Sequence, residues 1–245
     1  MNTAGDADWQ RRVLERGILC MQSEDDWRTD AHRRYREKLR HPDYPCFFGQ
    51  AAEARGEMLY TFVSRGNLNE LVRNMQGFVS LIGTEAHGRS SMTALFEPDP
   101  GLKEHAQFVA RFWQTLQYLH EHDSCPKDRP PEDPLWEFSF EACEMFVVGC
   151  SPTYQYRRSR NLGPGMTLIF QPRHLFIDLV TSQPIAPEVR HRIHRRMLAF
   201  DGMPVHPDIG FYGESSNREW RQYALPDDNL AELGACPFHL RQQNL

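Results

Sequence analysis

Short stretches of alternating or continuous apolar residues predict a set of β-strands. Residues 136–141 read Trp-Glu-Phe-Ser-Phe-Glu, so a strand over 135–141 would bury aromatic side chains on one face and direct carboxylates from the other. Further strands are predicted over 58–63, 92–96, 144–150 and 166–170. An antiparallel sheet with one solvated polar face is the commoner meaning of such alternation.

Apolar residues at helical spacing predict helices between the strands. The clearest spans 102–121, where Phe112, Trp113, Leu116 and His120 fall on one apolar face. Other helices are predicted over 6–40, from Cys46 to Ala54, from Asn67 to about Leu81, and from Pro187 to about Phe200. The mixture predicts an α+β fold with a largely antiparallel sheet flanked by helices. We interpret residues 1–245 as one domain with a polar helical N-terminal extension over about 1–40.

Composition and charge narrow the function classes. The 245 residues carry a net charge of −5, which argues against general affinity for nucleic acid. We found no apolar run long enough for a membrane span and no secretory signal, so a cytoplasmic location without membrane contact is expected. The six cysteines lack paired spacing and are expected to be thiols. Without a Cys-x-x-Cys-His motif, any haem would be bound non-covalently.

Arginines at the ends of the predicted strands suggest an anion site. Arg157, Arg158, Arg160 and Arg173 flank apolar runs. This pattern suits a flat, apolar, doubly anionic ligand such as haem, because planar guanidinium groups pair bidentately with carboxylates. Solvated charged loops beside an ordinary sheet explain the same pattern.

Several side chains could serve as ligands or catalytic groups. His120 lies on the buried stripe of its helix and could ligate iron, or could cap the last helical carbonyls. Cys46 could be a thiolate ligand or a small core residue. Glu137 and Glu141 could clamp a guanidinium or face water. The arginine-rich helix segment 190–196 is interpreted as a solvated basic face.

Five segments together resemble the motifs of the YqcI/YcgG family. In order, they are HPDYPCFFGQAAEARG (41–56), LQYLHEHD (116–123), WEFSFEACEMFVVGCSP (136–152), RRSRNLGPGMTLIFQPR (157–173) and FYGESSNREWRQYALPDDN (211–229). The resemblance implies a haem-dependent N-oxygenase of a natural-product pathway. Such enzymes convert L-arginine to Nω-hydroxy-L-arginine in D-cycloserine biosynthesis, or hydroxylate pre-guanitoxin.

The resemblance also assigns expected roles. The matched positions are Pro45-Cys46, Leu119-His120 with Asp123, Trp136-Glu137-Phe138, Arg157 with Ser159-Arg160, and Gln171-Pro172-Arg173. Where many relatives have Pro-Ala-His, this chain has Pro-Thr-Tyr at 152–154. That departure moves the expected axial ligand to His120, with Cys46, His41 and His206 as alternatives.

The expected enzyme holds haem b non-covalently against Trp113, with its propionates on Arg157, Arg158, Arg160 or Arg173. Glu137, Glu141 and Glu144 would orient a cationic amino acid, most plausibly L-arginine. Dioxygen is the co-substrate, and an external donor would supply electrons because the chain has no flavin or NAD(P)H motif. Monomer and homodimer both stay open. The alternatives are a non-catalytic haem-binding or haem-sensing protein, a zinc-dependent hydrolase using histidines and Cys46, and an interaction module built on helix 190–196.

Overall fold

The computed structural model describes residues 26–176, 187–210 and 212–240. The α-helices are α1 (Trp27–Leu39), α2 (Phe47–Arg55), α3 (Leu68–Ile82), α4 (His105–Glu121), α5 (Pro187–Asp201) and α6 (Trp220–Tyr223), with a 3₁₀ turn at Arg158–Arg160. The strands are β1 (Met58–Val63), β2 (Ser91–Phe96), β3 (Phe138–Phe140), β4 (Cys143–Cys150) and β5 (Thr167–Pro172). This mixture confirms the predicted α+β class.

The strands form one five-stranded sheet in the order β1-β2-β5-β4-β3. β1 and β2 run parallel and are joined by the crossover helix α3, as parallel neighbours require. The other three pairs are antiparallel. The sheet is therefore largely antiparallel, as predicted.

Both faces of the sheet are covered, and this differs from the half-solvated sheet that the alternation suggested. On β1, Leu59 and Val63 join a core that includes residues of α3 and α4, whereas Met58 and Tyr60 join a second core beside α1. We call these sides the α3/α4 face and the α1/α2 face. Full burial of one aromatic side chain such as Phe112 contributes roughly 2–3 kcal/mol, so covering both faces adds substantially to stability.

Local sequence signals place most element ends. Gly56 ends α2 in the left-handed region with φ of 75°, where a residue without Cβ is favoured. Asn67 precedes α3 as predicted, although its side chain makes no capping bond. α4 begins at His105 rather than at 102, because Glu104 and Gln107 form a capping box that fixes its start.

The N-terminal prediction is only partly covered by the described residues. Helix α1 begins at Trp27, and the Asp26 side chain accepts the backbone N–H of Arg28 at 3.0 Å. Residues 1–25, including Cys20 and the first part of the predicted helix 6–40, lie outside the described residues. Tyr35 and Leu39 bury the inner side of α1 against the sheet.

The predicted strand 135–141 is shorter than expected, because β3 begins only at Phe138 and ends at Phe140. A turn in which the Trp136 N–H donates to the Asp133 carbonyl at 2.9 Å precedes it, and a tight hairpin follows it. Glu141 and Ala142 both have positive φ, 48° and 60°, as two-residue hairpins between twisted strands require. Asp123 Oδ1 accepts the backbone N–H of Glu141 at 2.8 Å and that of Cys125 at 2.9 Å. Bonds from a distant loop thus hold a turn that lacks the usual Asn-Gly sequence.

Candidate functional site

A cavity of about 230 Å³ lies on the α1/α2 face of the sheet. Its floor includes Phe146, Val148 and Ile169 from β4 and β5, and its roof includes Ile193 and Met197 from α5. Tyr35, Leu39, Tyr44 and the first residues of α2 complete most of the wall. The space is partly open to solvent, and a largely apolar concavity with a few convergent polar groups is the usual form of a small-molecule site.

Three of the five family-like segments meet at this cavity. Segment 41–56 contributes Tyr44 through Gly49, and segment 136–152 contributes Phe146 and Val148. Segment 157–173 contributes Ser159, Arg160, Ile169 and Gln171. About eighty residues separate the end of the first segment from the start of the second. Their convergence makes this cavity, which sequence reasoning did not locate, the leading candidate site.

Cys46 lies in the cavity wall as the N-cap residue of α2. Its Sγ accepts the backbone N–H of Gly49 at 3.3 Å. A Cβ on Gly49 would meet Leu39 Cδ1 at 3.2 Å and Cys46 Sγ at 3.4 Å, so glycine permits this close packing. Burial raises the pKa of the Cys46 thiol, while the backbone N–H groups of α2 and the charge of Arg160 oppose that rise. The cavity wall therefore holds a neutral thiol. The N–H groups of α2 and the charge of Arg160 both favour its ionised form.

Arg160 supplies the positive charge of the cavity. Its guanidinium donates to three backbone oxygens, those of Gly149 at 3.2 Å, Tyr223 at 3.0 Å and Gln222 at 3.0 Å. The same charge opposes the rise in the pKa of buried Cys150. A guanidinium fixed by neutral carbonyls keeps its net charge for an anionic group of a ligand.

The sheet register extends this face toward Glu144. Phe146 pairs with Gln171, and both line the cavity. Glu144 is two residues before Phe146, so its side chain points to the same face of the strand. Glu144 forms an ion pair with Lys127 at 3.2 Å near the surface. Glu144 is thus a candidate glutamate on the cavity face of β4, and its ion-pair partner is the surface residue Lys127.

The other two glutamates are held by different partners. Glu137 is buried and pairs with Arg173, whose Nε lies 2.5 Å from Glu137 Oε2. Glu141 lies in the β3–β4 turn. Its carboxylate accepts hydrogen bonds from the backbone N–H and the hydroxyl of Ser124. The structure does not gather the three carboxylates around one space, and their catalytic role stays a prediction.

The four candidate arginines also lie in separate environments. Buried Arg157 donates to the carbonyl of Pro226 at 2.8 Å, the carbonyl of Asp228 at 2.8 Å and the side chain of Asn229 at 2.7 Å. Arg158 donates to the Phe200 carbonyl at the end of α5. Arg173 joins Glu137, and only Arg160 lines the cavity. Propionate binding by Arg157, Arg158 and Arg173 stays a prediction.

His120 and Trp113 lie on the opposite side of the sheet from Cys46. His120 is 2% exposed, and its ring lies 4.9 Å from that of Phe238 in the α3/α4 core. Trp113 borders an open groove of about 830 Å³ between α4, α6 and the C-terminal segment, which His105 also lines. Neither His120 nor Trp113 lines the cavity of Cys46. The expected iron ligand and the expected wall for the haem macrocycle are therefore not brought together there.

The remaining ligand alternatives have their own surroundings. His41 is exposed, and its Nδ1 accepts the backbone N–H of Asp43 at 3.2 Å. His206 is 1% exposed, with Nδ1 3.5 Å from Asp208 Oδ2, and burial lowers its pKa. In the residues that the structure describes, no three His, Cys, Asp or Glu side chains come together as metal ligands. The zinc-hydrolase alternative gains no support from this part of the chain.

A charged cluster at the edge of the sheet was missed by sequence reasoning. Arg173 lies between two buried carboxylates, those of Glu137 and Glu219, with Glu219 Oε2 at 3.8 Å. The Tyr212 ring stacks on its guanidinium at 3.9 Å from ring centroid to Cζ. Burial raises the pKa of Glu219 to about 7, although Arg173 and Asn217 oppose this rise. Glu219 lies in segment 211–229, and its burial could not be predicted because a glutamate is seldom fully buried.

The chain belongs to the YqcI/YcgG family. The family's sequence profile matches residues 35–239, which include most of both cores and the residues that line the cavity. None of the helices within the described residues combines the length and apolar character needed to cross a membrane.

Relatives match over most of the chain. "Uncharacterized protein YqcI" of Bacillus subtilis (strain 168) is 31% identical over 233 residues, covering 89% of this chain and 90% of the relative. "Uncharacterized protein YcgG" of the same organism is 32% identical over 205 residues, covering 80% of each. "Putative N(omega)-hydroxy-L-arginine synthase DcsA" of Streptomyces lavendulae is 29% identical over 226 residues, covering 88% of this chain and 85% of the relative. No solved structure matches the chain significantly.

Proposed function

We propose that this protein is a haem-dependent monooxygenase that hydroxylates a nitrogen of a small guanidino substrate, with L-arginine as the first candidate. The observation that carries the proposal is the similarity to DcsA, which extends over 226 residues at 29% identity. The activity in that relative's name is oxidation of a guanidino nitrogen. A natural-product pathway is the corresponding setting.

The residues around the Cys46 cavity fit the chemistry of haem. Aromatic and aliphatic side chains suit a macrocycle that is mostly hydrocarbon. Cys46 offers a soft sulfur ligand, and Arg160 offers a positive charge for a propionate. His120 remains the ligand that the sequence favoured, but its place in the opposite core makes Cys46 the better-placed candidate.

The size of the cavity adds a requirement. At 230 Å³ it is smaller than the roughly 300–1,000 Å³ of typical ligand pockets. Accommodating a porphyrin therefore requires outward movement of the wall formed by α2 and α5. The sheet floor cannot supply this space, because it is packed on both faces.

Bound haem would supply the activation of dioxygen, with electrons from an external donor. The protein's own side chains would bind and orient the substrate and exclude water. Glu144 is the carboxylate best placed to accept a substrate guanidinium, since it shares the cavity face of β4 and can exchange its Lys127 partner. Apolar walls would keep water from the reacting nitrogen.

The direct test is turnover. Protein supplied with haemin, a reductant, dioxygen and L-arginine should yield a product heavier by one oxygen, and ¹⁸O₂ should label it. Glu144→Gln should raise the KM for arginine with less effect on kcat, whereas Lys127→Ala should not raise it. Turnover of lysine, citrulline or a cyclic guanidine would change only the substrate. Absence of oxygen incorporation into any amine would refute the enzyme proposal.

A haem-binding protein without turnover is the second candidate. It is favoured by the partners that already engage Glu137 and Glu141. Haem uptake together with no oxidised amine would support it.

A further inference from the structure

Helix α5 forms the outer cover of the Cys46 cavity. Ile193 and Met197 are four residues apart, so they lie on one side of the helix, and both line the cavity. Tyr35 and Met58 lie among the lining residues contributed by α1 and β1. Any ligand larger than the cavity must displace this cover or the start of α2.

Two arginines of α5 contact the turn that carries Cys46: Arg192 lies over the Phe47 ring, with Cζ 5.3 Å from the centroid, and Arg196 makes the hydrogen bonds. Arg196 Nη2 donates to the carbonyl of Pro42 and to the carbonyl of Tyr44, each at 2.6 Å. The Arg196 guanidinium also lies over the Phe47 ring, with Cζ 4.4 Å from the centroid. These contacts bracket Cys46 on both sides in sequence. Such charge-assisted bonds are among the stronger ones in proteins.

The C-terminal end of α5 has a separate attachment. The Asp201 carboxylate accepts the backbone N–H of Ser159 at 2.7 Å and its hydroxyl at 2.8 Å. Phe200 packs its ring 5.6 Å from that of Tyr44 and 5.8 Å from that of His41. Loss of the Arg196 contacts would therefore free the middle of the cover while its end stays attached.

We propose that Arg196 is a positioning residue, which fastens α5 to the turn 42–47 and keeps the partly buried Cys46 covered in the cavity wall. The fastening is local, because it joins two surface-facing elements and leaves the α3/α4 core untouched. Where it bears on haem loading, the inference rests on the proposed function. The closure of Cys46 is independent of any cofactor and can be measured without one.

The test follows alkylation of individual cysteines in the full chain without added haem. Iodoacetamide labelling with peptide mass spectrometry reports Cys46, with exposed Cys125 as the internal reference and buried Cys150 as the monitor of global unfolding. Arg196→Ala should raise the Cys46 rate relative to Cys125 by about tenfold or more, since a charged hydrogen bond restrains the local opening. Cys150 should stay protected. The matched control is Arg195→Ala, which alters an exposed neighbour on the same helix and should leave Cys46 unchanged.

An unchanged Cys46 rate in Arg196→Ala would overturn the inference. If that variant exposes Cys150 as well, Arg196→Gln decides, since it keeps most of the side-chain length but cannot reproduce the planar charged contact. A selective rise at Cys46 in Arg196→Gln supports the inference, and a rate equal to the unmodified protein refutes it.

Haemin titration of the same variants gives a second readout. Arg196→Ala should change the position or width of the Soret band while Arg195→Ala should not. If the unmodified protein takes up no haemin, the proposed function fails, but selective exposure of Cys46 in Arg196→Ala would still establish the closure by Arg196.

Discussion

Neutralising Glu219 should remove a pH dependence of stability that its burial creates. The side chain is 4% exposed, lies 3.8 Å from the Arg173 guanidinium, and accepts a hydrogen bond from Asn217 Nδ2 at 2.8 Å. Arg173 is already paired with Glu137, so its positive charge only partly compensates a negative charge on Glu219. Burial is the main cause that raises the pKa of Glu219 from its usual 4.5 to about 7.

The sign of the effect follows from proton linkage. The folded protein holds the Glu219 proton more tightly than the unfolded chain, so the stabilisation is complete below about pH 4.5 and is lost as pH rises through about 7. The interval between those two pKa values corresponds to roughly 3 kcal/mol of unfolding free energy. Glu219→Gln keeps the neutral form at every pH, so its advantage over the unmodified protein should grow as pH rises.

Urea unfolding followed by tryptophan fluorescence at several pH values between about 5 and 8 measures this difference. Trp220 adjoins the substituted residue, so its fluorescence also responds to local changes. Circular dichroism is therefore measured in parallel and should give the same midpoints. Glu214→Gln is the matched control, since Glu214 is exposed in the same segment. Parallel stability curves for Glu219→Gln and the unmodified protein over the whole range would refute the reasoning.

Two further substitutions test the fold. Gly165→Ala would place a Cβ against the carbonyl oxygen of Phe96, so we expect a loss of roughly 2 kcal/mol or more; Gly83→Ala, whose Cβ would make an ordinary 3.4 Å contact, should change the Tm far less. Arg157→Ala removes a buried guanidinium and its hydrogen bonds to Pro226, Asp228 and Asn229, and should destabilise by roughly 2 kcal/mol in chemical unfolding; stability equal to the unmodified protein would show that these bonds contribute little.

Strand and helix positions could be predicted where one local rule acts alone. Met58–Val63 is a strand because an apolar run, interrupted only by Thr61, suits a strand buried on both faces. Gly56 ends α2 because glycine readily adopts positive φ. The last residue of β3 could not be predicted, since the turn that begins at Glu141 depends on Asp123, a residue from a different loop.

The candidate site was predictable only in part, because residue type does not reveal which face of the sheet a side chain occupies. Cys46, Arg160 and His120 all belong to family-like segments, yet only the first two share a cavity. Arg157 is an arginine in a family-like segment, which suggested that it binds an anion. Its guanidinium instead donates to the carbonyls of Pro226 and Asp228 in the C-terminal segment. Tertiary contacts over about seventy residues decide this, and no local pattern encodes them.

The absorption spectrum of purified protein during titration with haemin tests the central claim most directly. We expect stoichiometric uptake with a Soret band, and a change on reduction in the presence of carbon monoxide that reports an open coordination position. Cys46→Ala should shift or abolish the band and His120→Ala should leave it intact; the reverse would return the ligand to His120. Failure of the unmodified protein to take up haemin would contradict the account.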